Sequence, residues 1–485
     1  MSQKIETIRT RFAPSPTGYL HIGGLRTALY SYLYAKKTGG KFILRIEDTD
    51  LERYVDGAVQ MIMDTLHETG IDYDEGPDVG GDYGPYIQSE RKNEYLKYAL
   101  QLVEKGEAYY CFCTKERLDS LTDETGAKKY DRHCLSLSAE EIQSNLKNGV
   151  PYVIRQKMPT EGVSTYEDMV FGTISVENKE LEDNILIKSD GMPTYNFANV
   201  IDDHLMGINC VMRGTEYLSS TPKYNLLYDA FGWDRPIYVH MPPIMKDATH
   251  KLSKRNGDAS YQDLKEKGFV KEAILNYIAL LGWSPKSNQE KMTFDELKEA
   301  FSLEGISKSP SIFDETKLRW LNGLYLKEMD FDAFVAAAKP YLAQCEAGQK
   351  YDAEKLCRLA QPRVETLADV PQLVSFLTEF GAYDLSLMEH KRSKSNVETA
   401  KTYLPMVLEA WEALPQWNEE SLHGALTHLI ERENVKTGII FWPARVAISA
   451  KESTPGGPVE LADLLGREET LRRLRFSLDL LHRAE

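Results

Sequence analysis

Cysteine is scarce in this chain: six residues in 485, at positions 111, 113, 134, 210, 345 and 357. So few, with no regular framework of pairs, exclude a disulfide-stapled scaffold and leave thiols or metal ligands. Long apolar runs are missing too. No stretch approaches the roughly 18 consecutive apolar residues that a transmembrane helix needs. The opening residues, MSQKIETIRTRF, lack the apolar core of a signal peptide, so the expectation is a cytoplasmic protein with no membrane partner. Cationic excess is absent as well: 58 Lys and Arg stand against 74 Asp and Glu, a net charge of −16. Alone, that balance argues against nucleic acid, whose usual footprint is basic. Binding depends on where the cations lie rather than on their sum, so the expectation becomes a basic face on an acidic body.

What is present is a globular composition, 42% hydrophobic and 27% charged. At this length the chain exceeds one compact core, and two or three domains are expected. Its most informative stretch is RFAPSPTGYLHIGGLR, residues 11–26. A strand-like TIRTRF runs into a Pro/Gly turn, then into a helix whose Leu25, Ala28, Leu29, Tyr32 and Leu33 share one face. Strand, glycine turn and helix N-terminus together suit a phosphate: Gly23 and Gly24 let backbone approach, and the first-turn N–H groups favour anions. The pattern is neither G-x-G-x-x-G nor a P-loop. His21 reads equally as a capping histidine until a second segment is considered. That segment is Lys251-Leu252-Ser253-Lys254-Arg255, in the polar loop HKLSKRNGDAS, whose three cations could neutralise a triphosphate.

Together the two segments resemble the HIGH and KMSKS signatures of class I aminoacyl-tRNA synthetases. RFAPSPTGYLHIGG, with RGTEYLSSTPKYNLLYDAFGW further on, is similar to the bacterial glutamyl-tRNA synthetase family. The fourth HIGH position is Gly24. The resemblance implies an α/β fold: a Rossmann-type doubly wound catalytic domain, an inserted acceptor-binding subdomain and an all-α anticodon-binding domain. The expected division is a catalytic region over 1–330, with the insertion at about 90–190 and a helical stem-contact part at about 240–330, then an anticodon domain over 331–485. The residues agree in kind. FILRIED (42–48) reads as a buried strand ending near the ligand crevice, 90–184 breaks the alternation with a helix, a Cys-rich piece and a polar irregular run, and AFVAAAKPYL, QLVSFLTEF and LPMVLEAWEAL are periodic helical segments. ISAKESTPGGP (448–458) is the nearest thing to a flexible tether.

By resemblance, His21, Gly23, Gly24, Glu216, Lys251, Ser253, Lys254 and Arg255 bind ATP, which arrives with Mg2+. His21 and Lys254 are the catalytic pair, Lys254 stabilising charge on the transferring phosphates. Arg11, Tyr195 and Arg213 match the positions that grip the substrate's side-chain carboxylate. Two guanidiniums and a phenol would reject an uncharged amide. Glu47 matches the α-ammonium position, flanked by Ala13 and Ser15, and Asn199 lines the same pocket. Each alone reads as an ordinary surface ion pair; the set does not.

Cys111-Phe112-Cys113, followed by Cys134, has the look of a zinc site, but Ser136 stands where the family places a fourth ligand. Tyr130 or His133 could substitute, and three reduced thiols without metal is the plain alternative. Arg363 and Arg445 are the candidates for reading the anticodon, although 438–445 could equally be a packed turn. Implied partners are tRNA(Glu), L-glutamate and ATP, for a chain expected to act as a monomer. A truncated paralogue would lack the helical domain. A glutamine-specific relative would not need two arginines, and a nucleotidyltransferase would need neither insertion nor helical domain.

Overall fold

A computed structural model of the chain describes residues 7–49, 54–121, 130–252 and 260–483. It divides into two compact units: Met1–Leu264 with Ile274–Asp314, and Lys265–Ala273 with Glu315–Glu485.

The first unit begins with the strand Arg9–Phe12, parallel to Lys41–Leu44, with Arg11 opposite Ile43 and Phe12 opposite Leu44. The helix Ile22–Lys37 joins them. Its apolar face falls where the spacing places it: Leu25, Ala28, Leu29, Tyr32 and Leu33 are all buried. Side chains of this size contribute about 1.5–3 kcal/mol each when fully buried. The helix runs out at Lys36 and Lys37, whose charges suit the dipole, and the chain turns back through Gly39 at φ 69°. Gly40 then passes against strand backbone: a Cβ there would lie 2.0 Å from the Ile8 carbonyl oxygen. Only glycine permits that approach.

A second sheet has the order Gly172–Glu177, Val163–Asp168, Ile237–Met241, Cys210–Gly214. The last two strands are parallel and in register, with Arg213 opposite His240. Asn209 ties this sheet to the first, donating its N–H to Arg9 O at 3.2 Å and accepting Arg9 N–H on Oδ1 at 2.8 Å. The carboxyl ends of Arg9–Phe12 and Cys210–Gly214 therefore open toward one crevice, the usual place for a ligand in such sheets. The polar run expected to be irregular contains an antiparallel hairpin, Val163–Asp168 with Gly172–Glu177, which joins the central sheet through Asp168 opposite Tyr238. Its alternation is hard to see because the outward face is mostly polar, with Thr165, Glu167, Thr173 and Ser175, while the inward face mixes Ser164 and Asp168 with Tyr166, Ile174 and Val176. A separate antiparallel sheet of Ala108–Cys111, Val153–Gln156 and Ile185–Ile187 carries the Cys-rich piece.

The second unit is helical. Val397–Glu412, Glu419–Glu433, Thr437–Ser449, Pro458–Leu465 and Arg467–His482 enclose a core that includes Trp411, Leu404, Leu426, Ala444 and Leu474. Trp411 donates its Nε1–H to Leu422 O at 3.2 Å, which satisfies the one polar atom it buries. QLVSFLTEF forms only the short helix Val370–Val374 and a 3-10 turn, Ser375–Leu377. Residues 438–445, which could be a turn on sequence, lie inside the helix Thr437–Ser449. The supposed tether is held: Arg445 donates to the carbonyls of Glu452 at 2.7 Å and Lys451 at 3.4 Å. The early segment Lys265–Ala273 belongs to this unit, where Gly268 O accepts Leu367 N–H at 3.0 Å and Val270 N–H donates to Asn322 Oδ1 at 2.8 Å.

Candidate active site

His21 is the N-cap of the Ile22–Lys37 helix, and its Nδ1 accepts the Gly23 N–H at 3.0 Å. A Cβ at 23 would sit 3.2 Å from that same Nδ1 and press on the cap. Gly24 follows in the first turn, with the side chains of Leu20 and Phe12 nearest to it. The residues flanking the polar loop are described on both sides. Lys251 is exposed and bridges Met245, and Ser260, the first described residue after the loop, bridges His21 in antiparallel fashion. Ser253, Lys254 and Arg255 lie outside the described residues. The loop's far flank thus returns beside the His21 turn.

Behind that turn lies a network of buried charge. Arg45, fully buried, donates to Asp203 at 2.7 Å and to Glu47 at 2.9 Å, and lies 3.9 Å from Asp202. Arg11 meets Asp203 through both Nε and Nη2, at 3.1 and 3.3 Å, and gives Nη1 to Met212 O. Burial pushes the Asp203 carboxyl up, but Arg11 and Arg45 outweigh it and hold the group below the usual carboxylate range. For Glu47 burial prevails, and its carboxyl is raised despite Arg45 and Arg11. Glu47 N–H donates to Pro14 O at 3.0 Å, so the Ala13–Ser15 segment runs alongside it. Ser15 itself is exposed.

Arg213 differs from these arginines. It is 5% exposed, yet among the described residues no carboxylate lies within ion-pair distance of it. Its Nε donates to His240 Nε2 at 3.2 Å and its Nη2 to Thr221 Oγ1 at 2.8 Å. Both acceptors are uncharged. Rings of Tyr224, Tyr217 and Tyr238 surround the guanidinium with centroids at 4.7, 5.1 and 5.5 Å. Tyr195 packs on Tyr217 at 5.3 Å, burial driving its phenol well above the ordinary value. Asn199, one helical turn on, donates to Tyr195 O at 2.6 Å, and Glu216 is exposed just beyond the strand. A buried cation without an anion is costly, and the shortfall is met when a ligand supplies the anion. Asp168 and His240 carry no motif of their own in the sequence; strand register brings them to Arg213, while the helix Tyr195–Leu205 brings Asp203 to Arg11 and the helix Thr221–Phe231 brings Thr221 to Arg213.

In the Cys-rich piece, the sulfurs of Cys111, Cys113 and Cys134 all lie within 4.8 Å of one another, Cys113 and Cys134 at 3.5 Å. Tetrahedral zinc with Zn–S bonds near 2.3 Å separates its sulfurs by about 3.8 Å, so the set fits. The Tyr130 hydroxyl is 3.2 Å from Cys111 Sγ and 3.9 Å from Cys113 Sγ, while exposed His133 does not join the group. Far along the chain, Arg363 is exposed and lines a groove of about 690 Å³ with Arg319, Lys451 and Ser453. Arg445 is buried against Trp442 at 4.4 Å and serves the carbonyls of its neighbouring loop.

A glycine turn at a helix N-terminus, set between parallel strands and bridged by Ser260 from just beyond the lysine-bearing segment, is the catalytic architecture of a class I aminoacyl-tRNA synthetase. The comparisons agree. A family described as "tRNA synthetases class I (E and Q), catalytic domain" matches residues 7–320, and "Anticodon binding domain" matches 333–478. The chain belongs to the class I tRNA synthetases of the E and Q family. A glutamate–tRNA ligase of Clostridium novyi is 58% identical over 480 residues, covering 98% of this chain and 99% of that protein. One from Clostridium acetobutylicum is 55% identical over the same length and shares. Among solved structures, a glutamate tRNA ligase from Elizabethkingia meningosepticum in complex with its amino acid is 36% identical with a TM-score of 0.87, covering 98% of this chain and 100% of that one.

Proposed function

We propose that the chain is a glutamate–tRNA ligase: it activates L-glutamate with ATP and transfers it to the 3′-terminal adenosine of tRNA(Glu). The supporting observation is Arg213, a buried guanidinium held only by neutral acceptors and open to an anion. Glutamate's side-chain carboxylate pairs with it; an amide in that place leaves the cation uncompensated and is refused. Tyr195 and Asn199 close the pocket, and Arg11 acts from beside it with its charge already shared with Asp203. Glu47 receives the α-ammonium, with Ala13 and Ser15 at its flank.

The α-carboxylate then attacks the α-phosphate of ATP, giving glutamyl-adenylate and pyrophosphate. His21, Gly23 and Gly24 orient the nucleotide at the helix N-terminus, and Lys251, Ser253, Lys254, Arg255 and Glu216 complete its site. Mg2+ enters with ATP and neutralises phosphate charge. Placement and charge neutralisation supply most of the rate, and the protein needs no covalent step. In the second half, the 2′-hydroxyl of the terminal adenosine attacks the acyl carbon and AMP leaves.

Cys111, Cys113, Cys134 and the Tyr130 hydroxyl hold a structural zinc ion in this reading, and anomalous scattering at the zinc edge tests it. Residues 1–330 carry the chemistry, and 331–485 bind the anticodon with exposed Arg363 as a contributor; Arg445, expected beside it, is buried and spends its donors on the 451–454 loop. The enzyme works in the cytoplasm as a monomer. The deciding measurement is ATP–pyrophosphate exchange with glutamate, with and without tRNA. Glutamate-dependent exchange is expected; exchange with another amino acid, or with none in either condition, overturns the assignment.

A further inference from the structure

His240 and Asp168 do no chemistry in the mechanism above, yet both are buried directly behind Arg213. Asp168 is held by four hydrogen bonds: Oδ1 accepts Val170 and Phe171 N–H at 2.9 Å each, and Oδ2 accepts His240 N–H at 3.1 Å and the His240 ring at 2.6 Å. An ionised carboxylate is acceptor-only, so the ring nitrogen facing it, Nδ1, carries the proton. The other nitrogen, Nε2, is left with a lone pair, and that lone pair receives Arg213 Nε–H. Three strands set this line: Asp168 beside Tyr238, and His240 beside Arg213.

We propose that Asp168 and His240 are positioning residues for amino-acid selection, aligning Arg213 through a neutral acceptor so that its charge stays available to the substrate's side-chain carboxylate. The inference rests on Arg213 gripping that carboxylate. The interposed imidazole matters because of what a direct contact would do. Asp203 takes Arg11 through two hydrogen bonds and compensates its charge. A carboxylate in the place of His240 would do the same to Arg213, and the pocket would lose its preference for an anion. With the ring between them, Asp168 fixes orientation while standing one residue away. Thr221 repeats the arrangement on the Nη2 side: its hydroxyl donates to Tyr217 O at 2.8 Å and accepts from the guanidinium. Burial also lowers the His240 pKa, which keeps the ring neutral at neutral pH.

Asp168→Asn separates orientation from size. In either amide orientation an NH2 group faces a donor, either the Val170 and Phe171 N–H groups or the His240 ring. Relief by tautomer exchange would turn an Nε2–H onto Arg213 Nε–H. His240→Gln retains an acceptor, and His240→Leu removes it. The full chain is assayed by ATP–pyrophosphate exchange with saturating tRNA, titrating glutamate, glutamine and ATP separately. Asp168→Asn and His240→Leu are expected to raise the glutamate KM about tenfold or more and to narrow the preference for glutamate over glutamine, with the ATP KM within about twofold. His240→Gln is expected within about threefold of the parent. A merely structural role would lower the amount of active enzyme, and so the apparent kcat, without moving the glutamate KM. Unchanged glutamate KM in Asp168→Asn and His240→Leu, or an equal rise in the ATP KM, overturns the proposal. Should His240→Leu fail to fold, Asp168→Asn against His240→Gln decides by the same criterion. Arg213→Ala separates the two levels: if it leaves the glutamate KM alone, the pocket assignment fails. If it raises that KM while the other variants are silent, only the positioning role fails.

Discussion

Arg45→Met is the most demanding perturbation of the crevice. The guanidinium is fully buried and serves Asp203, Glu47 and, at longer range, Asp202. Asp203 keeps Arg11, and Asp202 keeps Arg91 at 2.7 Å. Glu47 has no other salt bridge among the described residues. Removing one partner of a buried pair costs about 3–5 kcal/mol, because the remaining charge is stranded. The first unit spans about 300 residues, and an unfolding entropy near 2.1 cal/mol/K per residue gives about 0.6 kcal/mol/K. The melting temperature of that unit should therefore fall by about 5–8 °C, read by differential scanning calorimetry. Adding Glu47→Gln should recover part of the loss, since no anion is then stranded.

A kinetic consequence accompanies the thermal one. Burial already raises the Glu47 carboxyl, and Arg45 is the strongest influence opposing that rise. Without Arg45 the group takes up a proton at a higher pH, and a neutral acid holds the α-ammonium poorly. Glutamate KM in Arg45→Met should then fall as pH is raised from about 6 to 8, more steeply than in the parent. A variant melting within about 1 °C of the parent, with a parallel pH profile, would refute the stranded-charge reasoning.

Other outcomes follow from single contacts. Lys254→Ala should cut kcat in pyrophosphate exchange far more than it changes the glutamate KM, because its partner charge grows in the transition state; equal effects would confine the loop to ground-state binding. Gly40→Ala drives a methyl to 2.0 Å from the Ile8 carbonyl and should destabilise by about 1–3 kcal/mol or more in urea titration. Burial lowers the His240 pKa, so its neutral form adds stability above the unfolded value of about 6.5, lost as pH falls below that value toward the folded one. His240→Gln should accordingly flatten the drop in urea midpoint between about pH 7 and 5.5, and an unchanged slope would mean that the ring is not buried neutral.

Features governed by neighbours in sequence were legible before any coordinates. The Ile22–Lys37 helix shows its face through Leu25, Ala28, Leu29, Tyr32 and Leu33, because helical spacing alone determines which side is buried. The His21 turn and the helical second half were readable for the same reason. Partners brought together by strand pairing were not. Asp168, Arg213 and His240 sit on three strands far apart in the chain, and nothing local marks a histidine as the back of an arginine. The 163–177 hairpin escaped because its outward positions are mostly polar and its inward ones mix Ser164 and Asp168 with Tyr166, Ile174 and Val176. ISAKESTPGGP has the composition of a linker, but an arginine several residues earlier supplies the donors that its carbonyls need. Arg11 was expected to grip the substrate with Tyr195 and Arg213, and its partner Asp203, nearly two hundred residues away, was not foreseen.

The affiliation of Lys265–Ala273 with the helical unit has a consequence for how the polypeptide is made. A ribosome delivers this strip well before the helices that receive it. Until Asn322 and Leu367 emerge, the Val270 amide and the Gly268 carbonyl wait for partners not yet synthesised. A fragment beginning at Glu315 would inherit the opposite defect, with Asn322 Oδ1 and the Leu367 amide facing an empty seat. Excising the C-terminal half as a free-standing module therefore means carrying the strip along, by circular permutation or by supplying it as a peptide.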